Sequence, residues 1–235
     1  MPKEMNVKAI STNIGKALLI NALFMFLSIL VSMMNGFDSA FTPLLISFLV
    51  TTLTGMFPFI FVKDIPSTSL HSGFLTIVLS WLLSFIFGML PYVLWGGEFT
   101  LMNAWFESVS GYTTTGSTIL NDIEALPKSL LFWRSFTHWI GGMGVLVFLV
   151  AILPASGGSN FYLMKAESTG PAVSKLVPKV KSSAKILYGI YIGLSVILFI
   201  LLLLGGMNIF DALTHTFGTA GTGGFGIRNN SITGY

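Results

Sequence analysis

The chain has 235 residues, of which 53% are hydrophobic and only 9% charged, with a formal net charge of +3; soluble domains carry about 25% charged residues, so a water-soluble fold is excluded. The absence of cysteine removes disulfide frameworks, iron–sulfur clusters and thiolate metal sites, and three histidines beside few acids make a poor basis for zinc. The pI near 9.2 comes with a mean hydropathy of +0.82, and in so apolar a chain basic loops set membrane orientation; no nucleic-acid partner is expected.

Met1 to Lys16 carries Lys3, Lys8 and Lys16 ahead of an apolar run, but no small-residue cleavage pattern follows at Met33 to Phe37, so the first span is read as retained. Membrane spans are expected at Ala17–Met34, Phe41–Val62, Ser72–Trp95, Leu130–Leu153 and Ala184–Gly206. Crossing the hydrocarbon takes about 20 residues, and each span is helical because lipid offers the backbone no partners outside the segment. With the N-terminus in the cytoplasm, the inside holds Lys3, Lys8, Lys16, Lys63, Lys165, Lys175, Lys179, Lys181 and Lys185, while the outside receives Lys128, Arg228 and Arg134, an asymmetry that fits the positive-inside rule.

This orientation requires the stretch from Trp95 to Leu130 to start and finish on one side, although it contains the moderately apolar Phe99 to Tyr112. That segment is too short to span and reads as re-entrant. The same order of parts occurs twice. The first copy runs from Ser72 through Gly96-Gly97 and Asn103-Ala104-Trp105-Phe106-Glu107-Ser108 to Tyr112-Thr113-Thr114-Thr115-Gly116-Ser117-Thr118. The second runs from Ala184 through Gly205-Gly206 and Asp211-Ala212-Leu213-Thr214-His215-Thr216 to Ala220-Gly221-Thr222-Gly223-Gly224-Phe225-Gly226. Sliding Asn103-Ala104 onto Asp211-Ala212 without a gap brings Thr115 onto Gly223 and Gly116 onto Gly224. An internal repeat with corresponding interrupted segments points to a transport site.

A potassium ion leaves its hydration shell only where several oxygens replace the waters, as rings of backbone carbonyls do. Glycine reaches left-handed conformations that aim successive carbonyls at one axis, and threonine adds a hydroxyl. Thr113, Thr114, Thr115 and Gly116, with Gly221, Thr222, Gly223 and Gly224, are the candidate potassium-filter residues. Each short helix would also present its partially negative C-terminal end to the cavity, favouring a cation. Either loop alone reads equally as an ordinary polar turn; the repetition favours the filter.

The run Phe106-Glu107-Ser108-Val109-Ser110-Gly111-Tyr112-Thr113-Thr114-Thr115-Gly116-Ser117-Thr118, followed by Trp133-Arg134-Ser135-Phe136-Thr137-His138-Trp139-Ile140-Gly141-Gly142-Met143-Gly144, resembles the first filter region and following helix of TrkH-type subunits of the Trk/Ktr/HKT potassium transporters. The likeness extends through the second filter region to the end of the chain. It implies an all-α integral membrane fold of potassium-channel-like helix–pore-loop–helix repeats around one pore, preceded by two extra transmembrane helices. The expected divisions are residues 1–71 for the extra helices, 72–158 for the first repeat, 159–183 for a basic cytoplasmic connection and 184–235 for an incomplete second repeat. The family plan has four repeats, with an intramembrane gate in the third; the stop at Tyr235 marks the chain as a fragment on that plan. The resemblance also implies potassium uptake across the inner (cytoplasmic) membrane with no cofactor besides the transported ion, homodimerisation of the full-length protein, and contact with a cytosolic TrkA-type nucleotide-binding regulatory subunit. No phosphate-binding glycine fingerprint occurs in the chain itself.

Other conspicuous residues carry blander expectations. Arg134, at the outer start of a span, is expected to snorkel to the headgroups, with tuning of the pore mouth as the alternative. His138 and His215 are expected to make interhelical hydrogen bonds rather than relay protons. Glu107 and Asp211 are expected to hydrogen-bond the loop backbone, the alternative being simple exposure to water. Gly141, Gly142 and Gly144 permit close helix approach, Pro154 ends that helix, and the basic stretch 154–185 contacts anionic lipid. Two other functions compete. An intramembrane hydrolase using Ser110 or Thr114 with His138 or His215 has no signature of a nucleophile, base and orienting group, so no enzyme is expected; a non-conducting structural membrane subunit needs neither filter nor nucleophile.

Overall fold

The computed structural model describes residues 7–62, 70–144 and 180–235. Its elements are α1 (Val7–Met34), α2 (Phe41–Phe61), α3 (Leu70–Gly88), α4 (Leu90–Trp95), α5 (Leu101–Tyr112), α6 (Lys128–Met143), α7 (Val180–Leu204) and α8 (Ile209–Ala220). Among the described residues there is no strand, and four stretches are long and apolar enough to cross a membrane: Val7–Met34, Phe41–Phe61, Leu75–Trp95 and Lys185–Leu204. The inner part of the span expected at Leu130–Leu153, Pro154, and the connection bearing Lys165, Lys175 and Lys179 lie outside the described residues.

Two span boundaries differ from expectation. Helix α1 already runs from Val7, ahead of the expected Ala17; the polar Ser11 and Thr12 in this added stretch satisfy their hydroxyls within the helix by bonding back to the Lys8 carbonyl. The third span is broken at Met89 between α3 and α4. Pro91 has no N–H to give the Phe87 carbonyl, which ends the α-ladder there. The Gly88 carbonyl, released by the break, accepts from Trp133 Nε1 at 3.1 Å; just before it the Phe85 carbonyl takes Ser108 Oγ at 2.8 Å in addition to the Met89 N–H at 3.0 Å.

Helices α1 and α2 turn most of their small and hydroxyl-bearing side chains inward. Helix α1 buries Ala17, Asn21, Ala22, Ser28 and Ser32 while exposing Leu23, Phe26, Leu30 and Met33. Helix α2 likewise buries Ser47, Thr51 and Gly55 and exposes Leu53, Phe57 and Ile60. Lipid tails are as apolar as leucine, so close packing and interhelical hydrogen bonds hold such bundles. Gly15 and Gly55 mark a near-contact of the α1 and α2 backbones, since a Cβ on Gly15 would meet the Gly55 carbonyl oxygen at 2.6 Å. Helix α1 also packs on α3 and α6, and α6 is buried almost all round from Ser129 to His138.

The α1–α2 turn reaches α6 through one carboxylate. Asp38 accepts from Ser32 Oγ (2.7 Å), the Ala40 N–H (3.3 Å), Ser129 Oγ (2.7 Å) and the Ser129 N–H (3.0 Å), capping α6 from another element. Asp38→Ala is expected to cost about 2 kcal/mol, read as a lower melting temperature of the purified protein in detergent; an unchanged melting temperature would show that the cap is idle.

Candidate functional site

The two half-length segments are helices of matching extent in the gapless register. Thr100 caps α5 by accepting from the Asn103 N–H at 3.3 Å, and Asn208 caps α8 by accepting from the Asp211 N–H at 2.9 Å. Beyond each helix the backbone then repeats its bonds. The N–H groups of Thr113, Thr114 and Thr115 bond the carbonyls of Val109, Gly111 and Ser110; those of Gly221, Thr222 and Gly223 bond Phe217, Thr219 and Gly218. Dihedrals repeat as well: Thr114 and Thr222 have φ of 55° and 60°, and Gly116 and Gly224 both have φ of 79°. Positive φ is an outlier for β-branched threonine. Its occurrence twice, in register, means that the same local geometry is imposed on both loops.

The loops meet at their glycines. A Cβ on Gly116 would collide with the Gly223 carbonyl, and one on Gly223 would collide with the His138 ring, whereas Gly224 faces open space. Thr113 Oγ1 donates to the Val109 carbonyl at 2.7 Å and lies 2.8 Å from Thr115 Oγ1. The Ser110 hydroxyl holds the Ser117 carbonyl at 2.6 Å; at the equivalent place in the second repeat Gly218 lets the backbone at Phe225 approach directly. Thus Thr113 to Gly116 and Gly221 to Gly224 are brought side by side, each at the C-terminal end of a short helix.

Behind the loops lies a buried ion pair. Glu107 and Arg134, 0% and 1% exposed, are joined at 2.5 Å. Glu107 also accepts from Thr118 Oγ1 at 2.9 and 3.0 Å and from the Ile119 N–H at 3.2 Å, so it does bond the loop backbone. Arg134 donates from Nη1 to the Gly226 carbonyl at 2.7 Å and places its guanidinium 3.7 Å from the Phe225 ring centre. The pair therefore grips the outgoing backbone of both loops. This corrects the expectation that Arg134 snorkels: a partner on α5 and a carbonyl of the second loop satisfy it at depth, so it has no need of the headgroups. Only the coincidence of opposite charges in two membrane-embedded segments of so uncharged a chain signals this pairing in the sequence.

Around this strut the other singled-out residues take packing roles. His138 stacks on Phe225 with ring centres 4.0 Å apart and accepts from the Phe225 N–H at 3.4 Å, a helix-to-loop contact rather than the interhelical one expected. His215 is buried, with Tyr235 edge-on at 5.6 Å. Gly141 leaves room for the Tyr112 carbonyl, and Gly142 for the Gly221 backbone and the Tyr191 hydroxyl, so α6 approaches the C-terminal ends of α5 and α8 and a side chain of α7. Asp211 accepts from Arg228 Nη2 at 3.0 Å and from the Tyr235 hydroxyl. Burial pushes the Asp211 carboxyl up, but hydrogen bonds from Tyr235, Arg228 and Asn208 outweigh it and hold the group below its ordinary range. The loops that follow the two short helices are laced by Asn229, which donates to Asp122 at 2.8 Å, accepts from the Ile123 N–H at 2.8 Å, and donates its own N–H to Glu124 at 3.1 Å.

Comparison with known proteins places this geometry in a family context. The family model for TrkH, described as a cation transport protein, matches residues 44–235. The Trk system potassium uptake protein TrkH of Vibrio parahaemolyticus is 41% identical over 134 residues, 57% of this chain and 28% of that protein. Its counterpart in Escherichia coli K12 is 43% identical over the same shares, and an uncharacterized cation transporter of Methanocaldococcus jannaschii is 39% identical, again over 57% and 28%. The crystal structure of the potassium transporter TrkH from Vibrio parahaemolyticus superposes with a TM-score of 0.79 at 31% identity, covering 97% of this chain and 46% of that one. The chain thus spans about half of that structure, and its matched segment well under a third of the curated relatives.

Proposed function

The chain belongs to the TrkH family of cation transport proteins, and from that premise we propose that it supplies two filter loops of a potassium uptake system, with Thr113, Thr114, Thr115 and Gly116 on one and Gly221, Thr222, Gly223 and Gly224 on the other. The observation that carries the reading is the repeated backbone: left-handed Thr114 and Thr222, left-handed Gly116 and Gly224, and matching hydrogen bonds give two loops the unusual geometry that a ring of inward carbonyls requires. The relatives are named as potassium uptake proteins, which supports potassium as the ion.

Several finer points belong to the same proposal. The protein sits in the inner (cytoplasmic) membrane with its N-terminus inside, on the distribution of lysines. Residues 1–71, 72–158, 159–183 and 184–235 are the extra helices, the first repeat, the connection and the second repeat. The full-length protein works as a homodimer with a TrkA-type nucleotide-binding subunit, a reading that rests on family resemblance.

The test is uptake by the full-length protein in cells lacking their own potassium uptake systems. Growth at low potassium is restored, and sodium competes poorly. Insertion into the membrane without any cation-dependent uptake would give the lead to the structural-subunit reading.

A further inference from the structure

Helix α1 precedes both repeats, yet it packs along α3 and α6 of the first, and one of its side chains reaches a pore helix there. Asn21, fully buried in the middle of α1, accepts at Oδ1 from the Tyr112 hydroxyl at 2.8 Å and donates from Nδ2 to Ser84 Oγ at 2.9 Å. Both ends of the amide are thereby occupied at membrane depth, where an unpartnered polar group is costly. Tyr112, also fully buried, is the last residue of α5 and immediately precedes Thr113. Its ring lies near Phe85 and Trp133, with centres 6.0 and 6.4 Å apart, and Gly88 leaves it space. Its carbonyl is wedged against Gly141 of α6. Phenylalanine would fill the same volume, so the hydroxyl serves the bond to α1.

We propose that Asn21 is a positioning residue for the first filter loop: through the Tyr112 hydroxyl, α1 fixes the end of the pore helix from which Thr113 to Gly116 depart. This rests on the filter reading above. The Tyr112 hydroxyl is held by α1 and its carbonyl by α6, so freeing the hydroxyl lets the ring tilt about the wedged carbonyl, and that motion passes directly to Thr113. Helix α1 is then a structural part of the ion pathway's support rather than a separate anchor.

The experiment compares potassium and sodium uptake by the full-length protein carrying Tyr112→Phe, Asn21→Leu or both, with membrane abundance measured for each. Interhelical hydrogen bonds in membranes are modest, so each single variant is expected to lower the potassium-over-sodium preference about threefold, and the double variant no further than Asn21→Leu, since every variant removes the Tyr112–Asn21 bond and Asn21→Leu already lacks the bond to Ser84 as well. Unchanged preference in Tyr112→Phe at wild-type abundance would overturn the proposal, as would effects that multiply in the double variant; should Asn21→Leu fail to insert, Tyr112→Phe decides alone. Gly116→Ser is assayed alongside. Altered preference there but not in Tyr112→Phe sinks the role of α1 alone, whereas no change in either sinks the filter reading and this inference with it.

Discussion

Gly116→Ser is expected to abolish most of the discrimination between potassium and sodium, and Gly224→Ser to weaken it less. Both glycines have a φ of 79°, where an L-residue costs about 1–2 kcal/mol. At Gly224 that is the whole penalty, because an added Cβ meets open space; if the loop relaxes by that amount, preference falls roughly tenfold. At Gly116 the new Cβ also strikes the Gly223 carbonyl across the loop interface, so the loops must separate and the loss exceeds roughly tenfold. Uptake of both ions by inserted variants measures this. Equal, unaltered preference would mean that the loops are interhelical turns.

The second large effect is expected at the buried pair. Glu107→Gln leaves the Arg134 guanidinium without its counter-charge at 1% exposure, and breaking a buried ion pair from one side costs about 3–5 kcal/mol. A sharp drop in melting temperature and in inserted protein is therefore expected. Replacing both partners by uncharged residues, Glu107→Gln with Arg134→Met, removes the stranded charge and is expected to restore much of the stability. Selectivity is not restored, because the bonds to Thr118, Ile119 and Gly226 are weakened or lost. A double variant that recovers both stability and selectivity would reduce the pair to a packing element.

Much of this architecture is legible in the sequence. Hydropathy locates four of the five expected spans because lipid permits few alternatives to a helix, and the alignment of Asn103 with Asp211 predicts the register in which Thr114 and Thr222, then Gly116 and Gly224, take up matching dihedrals. Pairings between elements are not legible. Arg134 and Glu107 lie on different helices, and Asn21 and Tyr112 lie 91 residues apart; nothing local in either segment names the partner. Pro91 signals the break at Met89, but a proline inside an apolar run is compatible with a mere kink, and only the packing of Trp133 onto the Gly88 carbonyl makes it a joint between two helices.

The paired loops are alike in backbone and unlike in chemistry. Where one wall carries the hydroxyls of Thr113 and Thr115, the other carries Gly221 and Gly223, and where one is pinned by the Ser110 side chain the other rests backbone on backbone at Gly218. An ion between them would sit in an anisotropic cage. Its carbonyl ligands would be arranged alike but backed by different side chains, so carbonyl vibrations that coincide in a pore of identical walls would split here into separate bands. Substituting a residue on one wall therefore carries no information about its counterpart, and each loop must be probed in its own right.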